Sequence, residues 1–190
     1  MFLDEPEMVP AAQGSEPVMN YAHAWAWRQD VADAFTAARA LLAGSTSLSP
    51  GEVAVVNVAV ASARKDAACS LAWGATLAEH RRAAAAADLI EGRTEALSDR
   101  ERALAAWAAS VAGDPNATAP ADVRGLRAAG LHDREIAEAT MLATFRLAFT
   151  AYNDALGVTA DAHLVADAPA EVRRAVTYGR GSEAYSNVAS

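Results

Sequence analysis

The sequence predicts an all-α fold, and three observations lead there. Each apolar stretch opens on a helix start signal and closes on a short break of Gly, Pro or Asp. Alanine occupies so many of the helical positions that helix axes can approach closely. The chain of 190 residues is 53% hydrophobic and 21% charged, which suits one domain or two small helical halves around a shared core. Alanine also leaves little side-chain bulk for a monomer's own core, so the helical bundle is expected to be oligomeric, with helices of a neighbouring subunit completing the packing.

Residues 1–19 have the Pro, Glu and Gly content of an N-terminal arm that packing on something else would order. A long helix is expected from Asn20 to Leu42, with Asn20 as N-cap and Gly44 as stop; the alternation of Tyr21, His23, Trp25 and Trp27 also fits a strand, but the alanines between them favour helix. "SLSPGEVAVVNVAVASA" opens with Ser49 as N-cap and Pro50 in the first helical position, where the missing N–H would go unused anyway. Its valines fit a strand as well, with helix favoured. A further helix starts at Asp66 and runs through His80 and the alanines 83–87 to Gly92. "LSDRERALAAWAASVAG" carries a capping box, Ser98 with Glu101, and stops at Gly113. A short helix closed by Gly130 and a long one from Asp133 to Gly157 complete a helical domain over residues 20–158. Residues 159–190 read as a C-terminal arm with one short helix after Pro169.

A formal net charge of -8 opposes partners that are themselves negative, so neither nucleic acid nor an anionic lipid surface is expected. The single cysteine cannot form an internal disulfide, and the N-terminus carries acids and prolines where a signal peptide needs basic and apolar residues. No apolar run approaches the roughly 18 residues of a membrane span. A cytoplasmic protein is the expectation.

Chemistry centres on "DAACSLAWG", which holds Cys69. Asp66 reads as an N-cap, which places Cys69 in the first turn of a helix, where free N–H groups favour a thiolate while the Asp66 carboxylate opposes it. Asp66, Cys69, Trp73, Leu77 and His80 fall on one helical stripe, yet Cys69 and His80 lie about 16 Å apart along it, too far for a nucleophile and its base. The bland readings are a buried small hydrophobe for Cys69, a plain cap for Asp66 and a core aromatic for Trp73. His23, His80, His132 and His163 form no metal-ligand spacing, so neither a metal nor a cofactor is expected. No phosphate loop, dinucleotide fingerprint or nucleophile elbow is present.

The succession "LSPGEVAVVNVAVASARKDAACSLAWGATLAEH", "LSDRERALAAWAASVA" and "ADVRGLRAAGLHDREIAEATMLATF" resembles the carboxymuconolactone decarboxylase and alkylhydroperoxidase D-like family, particularly its peroxidase-related members, over about residues 45–158. In peroxidatic members a glutamate precedes Cys-x-x-Cys-x-x-x-His at a helix start. The ungapped register puts Ala54 at the glutamate, Asp66 at the first cysteine, Cys69 at the second and Trp73 at the histidine. The register with Cys69 as first cysteine needs a three-residue insertion. Either register removes the two-thiol cycle, in which one sulfur resolves the sulfenate of the other.

The resemblance implies an alkylhydroperoxidase D-like bundle that forms a homo-oligomer, with its site at the start of the cysteine-bearing helix. Cys69 would be the nucleophile or redox centre, Asp66 a proton-transfer or hydrogen-bond group and Trp73 a pocket wall. Two functions follow. In one, Cys69 reduces a hydroperoxide and an external thiol restores it, which needs an exposed, partly ionised thiol. In the other the scaffold is non-redox, a cofactor-free lyase or a binding protein for a small molecule. The lyase needs Asp66 as acid or base and a cation for a carboxylate substrate, with Arg146 in that place. Binding without chemistry tolerates a buried thiol.

Overall fold

The computed structural model describes residues 1–4, 6 and 18–180, and among them every regular element is helical. Helix α3 (Pro50–Arg64) is the centre of the fold and packs against α4 (Ala67–His80), α6 (Asp99–Gly113) and α8 (Asp133–Ala155). From Ala54 to Ala61 it is buried without a break. A helix surrounded on all sides needs no polar face, which is why its valines carry no clear helical period in the sequence. Its start decides the matter: Ser49 accepts from the Glu52 N–H while the Glu52 carboxylate accepts from the Ser49 N–H, and Pro50 occupies the first turn.

The same capping device recurs at Ser98 with Glu101, at the start of α6, and Glu135 takes the N–H of His132 at the start of α8. Arg100 ties these ends together. Its guanidinium reaches Glu52, donates to Glu135 at 2.6 Å and to the Gly130 carbonyl at 2.6 Å. The N-termini of α3, α6 and α8 therefore share one end of the bundle. In chain order around it come α1 (Asn20–Trp25), α2 (Gln29–Ser45), α5 (Ala83–Ile90), α7 (Pro120–Ala128), α9 (Ala162–Asp167) and α10 (Ala170–Ala175).

Several boundaries differ from those the sequence suggests. The expected Asn20–Leu42 helix is two helices, parted by a 3-10 turn over Ala26–Arg28, and it runs to Ser45. Asn20 is not its cap: Met19 precedes the helix, and the Asn20 side chain donates across the fold to the Thr159 carbonyl. The expected helix to Gly92 breaks at Arg81 and Arg82, whose backbones are extended. Arg81 there turns toward Glu101, a long-range ion pair that alanine propensity cannot foresee. The segment after 158 holds two short helices, α9 and α10, instead of the single one expected, and Val172 and Val176 of its second half are buried in the core. The expected N-terminal arm lies largely outside the described residues, as do residues 181–190.

Helix α10 reaches α4 and α5 because Gly74 has no side chain. A Cβ there would lie 2.7 Å from Val172 Cγ1 and 3.0 Å from Ile90 Cδ1. Beyond α10 the chain folds back over the α3–α4 turn: Gly179 (φ 80) presses on Ala67, and the Tyr178 and Ser70 hydroxyls bond at 2.8 Å. Helix α2 stands apart from this tightly packed side, with Val31 and Leu41 exposed.

Overpacking at the α4–α10 contact tests this arrangement. Gly74→Ala is expected to destabilise the fold by about 1–3 kcal/mol, because both Val172 and Ile90 must move. Urea unfolding measures it, and an unchanged midpoint would contradict the packing described.

Candidate functional site

The site forms where α3 hands over to α4. Lys65 closes α3 in the left-handed conformation (φ 56), and Asp66 then starts α4 by accepting from the Cys69 N–H through Oδ1 at 2.9 Å. Asp66 is thus the cap that the sequence suggests. Its other oxygen, Oδ2, accepts from the Thr150 hydroxyl of α8 at 2.8 Å. With both oxygens engaged and the residue buried, Asp66 holds the turn of α4 against α8.

Helix α8 supplies the other half. Arg146, Thr150 and Asn153 recur at helical spacing and all are buried. The Arg146 Nη1 donates to Cys69 Sγ at 3.3 Å, and its Nε donates to Asn57 Oδ1 of α3 at 2.8 Å. Asn57 is oriented for this role by giving its amide to the Val53 carbonyl at 2.8 Å. The guanidinium also lies 5.1 Å from the Trp73 ring centroid and 5.3 Å from that of Phe149. Asp66, Cys69 and Trp73 therefore lie together at the start of α4, where Arg146 joins Cys69 to Trp73 while Thr150 takes Asp66. His80, at the far end of the same helical stripe, is exposed and takes no part.

Cys69 is only 6% exposed. Burial pushes its thiol up to about 12; Arg146 pulls the other way, and the Asp66 charge adds to the rise. The favourable helix N-terminus does not offset this desolvation, so the resting group at neutral pH is a neutral thiol.

Arg146 has no carboxylate within ion-pair distance among the described residues. That is unusual for a guanidinium only 4% exposed, because buried charges are ordinarily paired. Two cavities meet at it. The larger, about 560 Å³, lies between α2 and the bundle and is walled by Trp25, Phe35, Phe145 and Phe149. The smaller, about 280 Å³, is lined by Cys69, Asp66, Asp154 and Asp161. Trp73 and Arg146 border both.

No family model and no curated protein matches the sequence. Solved structures do share the arrangement of helices. The alkylhydroperoxidase AhpD core from Ralstonia eutropha JMP134, an uncharacterized peroxidase-related protein, superposes with a TM-score of 0.70 at 23% identity, over 77% of this chain and 79% of that one. The fold is that of the AhpD core. An uncharacterized peroxidase-related protein from Silicibacter sp. TM1040 gives a TM-score of 0.69 at 25% identity, over 77% of this chain and 78% of that one.

On this AhpD-like scaffold, sequence reasoning missed Asn57, Thr150 and Asp154. Asn57 carried a signal, a lone amide in a run of valines. Thr150 and Asn153 stand four and seven residues after Arg146 on an otherwise apolar flank, which is also a readable pattern. Asp154 borders the smaller cavity, and burial, helped by the charge of Asp66, raises its carboxyl to about 6, with Arg180 and Arg64 opposing.

A carboxyl raised on folding stabilises the fold while protonated. The contribution is fully present below the unfolded value near 3.9 and is lost as pH climbs through about 6. Asp154→Asn is therefore expected to melt higher than the parent at pH 7.5 and about level with it near pH 4. A variant less stable than the parent at pH 7.5 would contradict this environment.

Proposed function

We propose that the protein uses the AhpD-type scaffold as a non-redox site for a small organic anion, received by Arg146 at the junction of the two cavities. One observation carries the reading: a guanidinium buried among rings, an amide and a thiol, with no carboxylate partner among the described residues. An entering carboxylate would supply the missing counter-charge through charge-assisted hydrogen bonds. Removing water from the cation costs free energy that such a ligand offsets.

The redox alternative, a one-cysteine reduction of hydroperoxides at Cys69 with an external thiol reductant, has less support. It needs an ionised sulfur in contact with solvent, whereas burial favours the neutral thiol and Arg146 covers it. Asp66 is equally unsuited to act as a lyase acid or base, because both its oxygens are occupied in holding α4 to α8. In this reading Cys69 and Trp73 are walls of the pocket and Asp66 positions them. Asp154 is the acid–base group beside it, should bound anions undergo chemistry.

The same proposal keeps the homo-oligomer. Trp27, Val31 and Leu41, on and beside α2, and Met141 of α8 are exposed large apolar side chains, surface that a second subunit would cover. Sedimentation showing only monomer at micromolar concentration would remove that part.

Two measurements test the function. Stoichiometric hydroperoxide is expected to leave Cys69 unmodified in the folded, reduced protein, read by a sulfenate-selective probe and peptide mass; rapid, selective trapping would return the lead to the redox reading. Millimolar acetate, benzoate or succinate is expected to raise the melting temperature, and Arg146→Gln to abolish that rise. A parent protein indifferent to all three anions would overturn the anion site.

A further inference from the structure

Arg146 does not stand alone at the junction. Arg39, on α2, borders both cavities with it and sits 5.0 Å from the centroid of the same Phe149 ring that Arg146 faces at 5.3 Å. Arg39, too, has no carboxylate at ion-pair distance among the described residues. Burial and then the charge of Arg146 lower its pKa, with Cys69 and Tyr21 opposing.

The surroundings orient whatever fills this place. The smaller cavity is acidic, with Asp66, Asp154 and Asp161 in its lining, and repels a carboxylate. The larger chamber has one acid, Asp33, whose exposed carboxylate already accepts from Gln29 at 2.8 Å. Its lining includes the rings of Trp25, Phe35, Phe145 and Phe149 beside aliphatic side chains such as Val53 and Leu142, and Trp25 stacks on Phe35 at 5.2 Å and on Phe149 at 5.9 Å, each with an interplanar angle of 17°. A chamber of about 560 Å³ lies within the range of roughly 300–1,000 Å³ common for small-molecule sites. Rings in the lining favour an aromatic occupant, since offset-stacked and edge-on ring contacts add to simple burial.

We infer that the ligand is an aromatic carboxylate, its anionic head held by Arg146 and Arg39 together and its ring lying in the larger chamber against Trp25, Phe35 and Phe145. This inference rests on the reading of Arg146 as an anion receptor and adds the chemical class of the anion and a second recognition residue. Arg39 confers a distinction that Arg146 alone does not: it selects ligands whose acid group lies at the edge of a ring, within reach of a cation on α2.

Calorimetric titration of the full chain with 2-naphthoate, 2-naphthamide and hexanoate tests it. Saturable binding of 2-naphthoate is expected, with 2-naphthamide and hexanoate each at least about tenfold weaker, the size of one lost charge-assisted contact or of the lost ring stacking. Arg39→Gln is expected to weaken 2-naphthoate about tenfold and leave 2-naphthamide unchanged, while Arg39→Lys, which retains the charge, recovers part of the loss. Hexanoate binding as well as 2-naphthoate would overturn the aromatic class and leave the anion site standing. Equal binding of 2-naphthoate and 2-naphthamide, or no binding of any, would overturn both. An unaltered 2-naphthoate affinity in a folded Arg39→Gln protein would overturn the two-arginine head site.

Discussion

A helix buried on every side leaves its polar groups only one destination, another buried polar group. That constraint organises this protein. Helix α3 is apolar through its middle except at Asn57, and Asn57 meets Arg146 of α8. Arg146 then meets Cys69 of α4 and the ring of Trp73, so one amide in the central helix fixes where three helices bring their functional side chains. The opposite end of the bundle is arranged by a comparable economy. The glutamates that cap α3 and α8 are also the partners of Arg100, so helix starts and helix positions are set by the same carboxylates.

What the sequence made legible was local. Ser49 before Pro50, Ser98 with Glu101 and Asp66 before Cys69 are signals that span at most three residues, and hydrogen bonds of that range depend little on the rest of the fold. The stripe that joins Asp66, Cys69 and Trp73 follows from helical period alone. The long-range partners were not legible. Nothing in the spacing of α8 says that Arg146 faces α4, or that Asn20 would leave its cap position for the carbonyl of Thr159. The break at Arg81 shows the same limit, because an ion pair to Glu101 interrupts what propensity would continue.

The state of the thiol was a chemical question on which local signals pointed both ways. A helix start draws a sulfur toward its anion, and a neighbouring aspartate pushes it back. Neither decides. Desolvation does, and desolvation is a property of the packed helices around Cys69 rather than of its own turn. A likeness of fold to the AhpD core therefore does not fix what the cysteine does.

The two arginines at the junction stand inside a protein whose overall charge is -8. For an anion held there, the far field and the near field have opposite signs. Added salt screens the repulsion met at a distance and so speeds arrival, while it acts only weakly on the contact with a desolvated guanidinium. The usual electrostatically guided ligand behaves in the reverse sense, arriving more slowly as salt rises. The placement of two cations without a carboxylate partner among the described residues, beneath an acidic exterior, would thus separate the kinetics of capture of such an anion from the strength of its retention.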